Sequence, residues 1–144
     1  MTDNNPKGCF FVCLTLESDY AVRIIGCLAA EKRRIDAKNI SEKTGVSLRF
    51  SLKILRKLVS AGLVKSFKGM QGGYELAKAP SEITMLDVIE TVEGSYHLSK
   101  CCEDEEFVCT GGSKGCCSYR KVYSEISELV CSKLSSYTFD IFTE

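Results

Sequence analysis

The stretch from Ile35 to Leu76, IDAKNISEKTGVSLRFSLKILRKLVSAGLVKSFKGMQGGYEL, is compatible with few folds. Asp36 is a good N-cap for a helix running to about Thr44, and Gly45 suits the left-handed position that ends it. Ser47 caps the next helix, which runs to about Ala61 before Gly62. That leaves a turn of roughly 3–4 residues containing glycine, the junction a helix-turn-helix needs. In the second helix Phe50, Ile54, Leu55 and Leu58 recur at helical spacing as an apolar face. At about 100° per residue, Arg49, Lys53 and Arg56 gather on the opposite face, with Leu52 at its edge. Val64 to Phe67 and Tyr74 to Leu76 have strand composition, and Lys68-Gly69-Met70-Gln71-Gly72-Gly73 between them is a flexible hairpin tip carrying a cation. A basic helix followed directly by a hairpin is the order of a winged helix-turn-helix, a DNA-reading device. Phosphates attract such a face, and Arg or Lys can reach base edges in the major groove. Taken singly, the basic face also fits a solvated surface helix and the glycines an ordinary turn; the order of the pieces is what is specific.

A chain of 144 residues suggests one compact domain, with or without an appendage. Formal net charge is zero, but unevenly distributed. Up to Pro80 there are 14 Lys and Arg against 7 Asp and Glu, whereas from Ser81 onward there are 5 against 12. The basic half holds the reading head, so overall neutrality does not argue against nucleic acid. The nine cysteines follow no secretory signal, and no stretch approaches the length of a membrane span. A cytoplasmic location with no membrane partner is expected, where clustered cysteines more often bind metal or sense redox state than form structural disulfides.

Taken in order, residues 1–13 are an N-terminal extension, polar at first and then apolar and β-prone from Cys9 to Leu16. Cys9 and Cys13 fit ordinary packed thiols better than oxidant sensors. Ser18 to about Glu31 reads as a first helix with an apolar stripe of Ala21, Ile24, Ile25 and Leu28. Asp19 sits in its first turn, where capping is the default role, and Lys32-Arg33-Arg34 after it fits either a DNA-backbone contact or a solvated loop. Residues 14–80 form the winged helix-turn-helix. Residues 81–98 form a linking helix, opened by a capping box from Thr84 to Asp87 and ended near Glu93 by Gly94. From Tyr119 to Tyr137, the residues Tyr119, Val122, Tyr123, Ile126, Leu129, Val130, Leu134 and Tyr137 make a stripe wide enough to pair with a second copy. Residues 119–144 are therefore expected to be a dimerisation helix and tail. The fold class is mainly α with a small β-wing, and a homodimer suits it because winged helices usually read two half-sites.

Residues 99–118 form a cysteine-rich loop in which Cys101-Cys102, Cys109 and Cys116-Cys117 make three thiol nodes among Gly111, Gly112 and Gly115. Thiolates are soft ligands that select zinc, copper(I) or iron–sulfur clusters. The spacing is not the paired CxxC of a zinc ribbon. The acidic run Glu103 to Glu106 disfavours free thiolates. Three readings stand at this point: a metal or cluster site, a thiol–disulfide switch, or no role. A zinc-stabilised protein-interaction module that never meets DNA is a reading from a different class. Nothing resembles a nucleophile–base pair, so an enzyme is not expected.

The chain resembles the Rrf-two family of winged-helix regulators, the group that includes IscR, NsrR and RirA. The matching residues are Leu16 to Arg23 with its Asp-Tyr-Ala-Val-Arg, Ile40 to Ser47, Leu58 to Val64, the Lys68-Gly69-Met70-Gln71-Gly72-Gly73-Tyr74 wing, Ile83-Thr84 with Asp87 to Ile89, and Val92-Glu93-Gly94, followed by the three cysteine nodes. The resemblance spans roughly residues 14 to 137 and implies a homodimer that binds double-stranded operator DNA, whose affinity changes with an iron–sulfur cluster answering to redox state, nitric oxide or iron. In cluster-binding members the last cysteine lies six residues before an aromatic of the long helix, as Cys117 does before Tyr123. The resemblance thus implies Cys117, Cys109 and Cys102 as ligands, with Cys101 and Cys116 as alternates. Some members take a histidine three residues after the last cysteine, where this chain has Arg120, and His97 is expected to be an ordinary loop residue. Others take an acidic residue from the partner subunit's first helix, the position of Asp19, which favours [4Fe–4S] over [2Fe–2S]. Ser47, Arg49, Leu52, Lys53 and Arg56 on the second reading helix, with Lys68 and Gln71 on the wing, are the candidate DNA contacts.

Overall fold

The computed structural model describes residues 14–103, 106–107, 109–111 and 117–143. The readings for Cys9, Cys13 and Cys116 fall outside these residues. The first helix, α1, spans Leu16–Glu31, starting two residues earlier than the sequence suggests. The Thr15 hydroxyl accepts the Ser18 N–H at 3.2 Å and is the cap. Asp19 does not cap; its carboxylate pairs with Arg23 at 2.6 Å, one turn on. Leu14 and Thr15 lie outside any strand and Leu16 is already helical, so the β-prone reading fails at its described end. The stripe Ala21, Ile24, Ile25 and Leu28 is buried as expected.

The helix-turn-helix follows as α2, Ala37–Thr44, and α3, Leu48–Ser60. Asp36 accepts the Asn39 N–H at 2.9 Å, and Ser47 accepts the Phe50 N–H at 3.4 Å. Gly45 ends α2 with φ 70°, the left-handed region that glycine enters without a Cβ clash. The inward face of α3 is Ser51, Ile54, Leu55 and Leu58, not Phe50. Phe50 is 49% exposed and meets Tyr20 edge-on, with ring centroids 6.1 Å apart. Ser51 takes the core position because its hydroxyl is satisfied locally, donating to the Val46 carbonyl at 3.3 Å.

The wing is an antiparallel pair, β1 (Val64–Phe67) and β2 (Gly73–Leu76), in the register Val64 to Leu76 through Phe67 to Gly73. Ile35 adds a single-residue third rung, exchanging hydrogen bonds of 3.0 and 2.8 Å with Tyr74. Gly73 lies where this rung meets the pair, with φ 144°; a Cβ there would sit 2.6 Å from the Ile35 carbonyl oxygen. The wing is thus stitched to the loop that precedes α2.

Beyond the wing, a 3₁₀ turn at Pro80–Glu82 leads to α4, Met85–Glu93. The Thr84–Asp87 capping box forms in both directions. A short α5, Lys100–Glu103, precedes the long α6, Ser118–Ser135. The tail then returns to the core. Thr138 bridges Thr84, Phe139 N–H donates to the Ile83 carbonyl at 3.1 Å, and the Phe139 ring is buried in a 3₁₀ turn, Phe139–Phe142. One apolar cluster therefore unites Ile24, Ile25, Ile40, Ile54, Leu58, Ile83, Val88 and Phe139. No helix among the described residues is long and apolar enough to cross a membrane.

Candidate functional site

The reading head presents Ser47, Arg49, Lys53 and Arg56 at the surface of α3, with Leu52 half-buried beside them. Arg49 and Arg56 have no acidic partner among the described residues. Lys53 differs: its ammonium lies 3.2 Å from Glu17, which also pairs with Lys57 at 2.8 Å. The Lys57 hydrogen bond, seconded by Lys53, holds the Glu17 carboxyl below the ordinary glutamate range despite some burial. The sequence does not reveal this link, because Glu17 and Lys53 are far apart in the chain and no local pattern joins them. On the wing, Lys68, Met70 and Gln71 are exposed at the tip.

The cationic triplet before α2 divides its work. Arg33 pairs with Glu31 at 3.2 Å, and Lys43 of α2 pairs with the same carboxylate. Arg34 turns to the wing, its guanidinium carbon 3.3 Å from the centre of the Phe67 ring. Arg33, Arg34 and Lys43, with Asp36, Gln71 and Glu75, help line a polar hollow of about 460 Å³ between α2 and the wing.

A second network fastens α1 to the end of α4. Glu93 accepts hydrogen bonds from the Thr15 N–H at 3.1 Å, from the Thr15 hydroxyl at 2.6 Å, and from the buried Ser18 hydroxyl. Burial pushes the Glu93 carboxyl up, but these donors outweigh it and leave it below the ordinary range. Lys57 donates to the Val92 carbonyl at 3.1 Å, so α3 meets the same junction. The first turn of α1 thus carries Asp19, Glu17 and the Ser18 link together.

Of the candidate ligands, Cys101, Cys102, Cys109 and Cys117 are free and half-buried. Cys117 stands at the N-cap of α6. The Cys102 sulfur lies 3.8 Å from the Arg120 carbonyl, so the first node abuts the helix turn that the last node opens. Burial pushes the Cys102 thiol up, and a hydrogen bond and charge from Cys101 add to this. The Cys109 sulfur accepts the Gly111 N–H at 3.4 Å. Among the described residues, no three His, Cys, Asp or Glu side chains group closely enough to hold a metal ion, and His97 lies exposed in its loop. Asp19 is engaged with Arg23.

Most of the stripe expected on α6 faces outward. Tyr119, Val122, Tyr123, Ile126, Leu129 and Tyr137 are exposed, Val130 and Leu134 are half-buried, and the inward side is Ser127 with half-buried Ser124 and Cys131. Ser127 accepts the Leu98 N–H at 2.9 Å, and the Cys131 sulfur lies 3.8 Å from the Tyr96 carbonyl.

Residues 14–144 match the family model Rrf2, described as an iron-dependent transcriptional regulator. Protein aau3 of Rhizobium meliloti is 38% identical over 97 residues, covering 67% of this chain and 63% of that protein, so the chain spans less than two thirds of that relative's length. The HTH-type transcriptional regulator IscR of Aliivibrio salmonicida is 34% identical over 123 residues, covering 84% of this chain and 71% of that one. Among solved structures, CymR (YrzC), the global cysteine regulator of B. subtilis, superposes with a TM-score of 0.73 at 25% identity, covering 92% of this chain and 97% of that one. With its helix-turn-helix, wing and long C-terminal helix, the chain belongs to the Rrf2 family of DNA-binding transcriptional regulators.

Proposed function

We propose that the chain is a cytoplasmic homodimer that binds operator DNA through Arg49, Lys53, Arg56, Ser47 and Leu52 of α3 and Lys68 and Gln71 of the wing, and that an iron–sulfur cluster on the cysteine loop controls that binding. The observation that carries the reading is that the Cys102 sulfur lies 3.8 Å from the Arg120 carbonyl, in the first turn of the helix that Cys117 caps. The donor set suits the group in its chemistry: the cysteines of the loop are free, and their thiolates are the soft ligands that iron–sulfur clusters take. Cys102, Cys109 and Cys117 would hold the cluster, with Cys101 or Cys116 as alternates and Asp19 of the partner subunit as fourth ligand, which favours [4Fe–4S]. Bound, the cluster supplies a centre that oxygen, nitric oxide or iron shortage can alter.

The route from cluster to DNA follows from the first turn of α1. Asp19 would have to leave Arg23 to act as a ligand, and Glu17 on the same turn grips Lys53 and Lys57 of the reading helix. A shift of that turn changes how far the Lys53 charge is available to phosphate. Coupling of this kind is typically worth about 1–3 kcal/mol.

Anaerobic purification with iron and sulfide analysis tests the reading. Expected are a brown protein with about four iron and four sulfide per monomer, and an affinity for its selected duplex that changes when the cluster is removed. An Asp19→Ala protein with an unaltered spectrum and cluster lifetime removes Asp19 as ligand. A colourless protein that takes up no iron on reconstitution, yet changes DNA affinity reversibly with diamide, replaces the cluster by a thiol switch between the first and last nodes.

A further inference from the structure

We propose that Arg34 is the positioning residue of the wing, a single guanidinium that fixes where the wing tip stands against DNA; this rests on the DNA-binding reading above. Three contacts converge on it. Its guanidinium carbon lies over the Phe67 ring at 3.3 Å, a stacked cation–π contact with the last residue of β1. Its Nη1 donates to the Gln71 carbonyl at the tip at 3.4 Å. Its Nε lies 3.4 Å from the Glu75 carboxylate on β2. One side chain therefore holds both strands and the turn between them. The next residue, Ile35, pairs with Tyr74 through two backbone hydrogen bonds, so β2 is also held by the backbone close to the turn that the side chain grips.

Charge distribution separates this role from a phosphate contact. Arg34 is spent on Glu75 and stacked on a ring, and its side chain is only about a third exposed, at 36%. Arg33, its neighbour, is paired with Glu31. The Arg-Arg doublet thus orders the protein. Lys68 and Gln71, the candidate contacts, stand on the turn whose carbonyl Arg34 holds. A two-stranded hairpin is marginal by itself, so the loss of this anchor frees the tip while the helices remain.

Lysine retains the charge of Arg34 but neither stacks as a plane nor forks to two acceptors. The test compares Arg34→Ala, Arg34→Lys, Phe67→Leu and the double variant Arg34→Ala/Phe67→Leu. The probe is the duplex that the wild-type chain selects from a random-sequence pool. Expected for both Arg34 variants is an affinity roughly tenfold lower, with the slope of log affinity against log salt unchanged and faster amide exchange at residues 68–72 in the free protein. Phe67→Leu should weaken binding in the wild-type background and add little in the Arg34→Ala background. An unaltered affinity overturns the proposal, as does wild-type behaviour of Arg34→Lys. A loss accompanied by a slope smaller by about 1 also overturns it, because Arg34 would then be neutralising a phosphate itself. If the wild-type chain selects no duplex, the DNA-binding reading fails, and that result is distinct from any of these.

Discussion

At the scale of single residues, Glu93 gathers three hydrogen bonds on one carboxylate oxygen. Ser18 is fully buried, and its hydroxyl finds its partner in the Glu93 carboxylate, which also takes both donors of Thr15. Glu93→Ala leaves that hydroxyl without its partner, a loss of about 1–3 kcal/mol, read as a lower denaturant midpoint with an unchanged slope. The pH dependence has a fixed sign. Glu93 and Glu17 both have carboxyls lowered from 4.5 in the fold, so their contribution is fully present above that pH and is lost as pH falls through the lower folded values. The wild-type protein should therefore lose more stability than Glu93→Ala between pH 5 and pH 3, given as about the two sides of the carboxylate range. Gly73 shows where residue-level reading of the sequence stops. A Gly-Gly pair before Tyr74 announces a turn, but the need for glycine comes from the Ile35 carbonyl across the rung. Gly73→Ala should cost more than about 1 kcal/mol and is checked by the same denaturation curve.

At the scale of elements, what the sequence reveals is what is local. The caps at Asp36, Ser47 and Thr84 each bond an amide three residues on, so cap and partner are read in one glance at the chain. The wing is equally plain, because composition changes on either side of a glycine-rich tip. Phase is harder. A polar residue occupies the core side of α3 at Ser51, so the apolar pattern suggests Phe50, one residue out of register with the buried face. Long-range ties are illegible: nothing near Phe139 indicates that it returns to Ile83 and fills the core beside α1. The tail is thus part of the packed unit that holds α4 and the end of α6 together. Phe139→Ala should destabilise the protein by about 3–5 kcal/mol, measured by thermal melting, and should loosen the Thr84–Thr138 bridge to amide exchange.

At the scale of the whole molecule, α6 is amphipathic the wrong way round for an isolated chain. Its small and polar side, Ser124, Ser127 and Cys131, packs against the chain, while Tyr119, Val122, Ile126 and Leu129 face solvent. Burying such a stripe contributes about 25 cal/mol for each Å² of apolar surface, and a second copy presents the same stripe for a two-fold pairing. In the proposed dimer such a pairing would have a use, since two reading heads on one rigid axis can meet two half-sites. Leu129→Glu isolates this step, because Leu129 is 72% exposed in the single chain and is not a member of the core cluster. Its melting temperature at low concentration should match the wild type, as a surface change is usually within about 0.5 kcal/mol. Sedimentation should show the wild type as a dimer and Leu129→Glu as a monomer, and the salt slope of DNA binding should fall by about half, because each monomer neutralises only its own share of phosphates. A variant that remains dimeric would place the two-fold contact elsewhere, leaving the outward stripe to a different partner. A monomer that keeps the full slope would show that one reading head makes all the phosphate contacts, and the two half-site geometry would be lost with it.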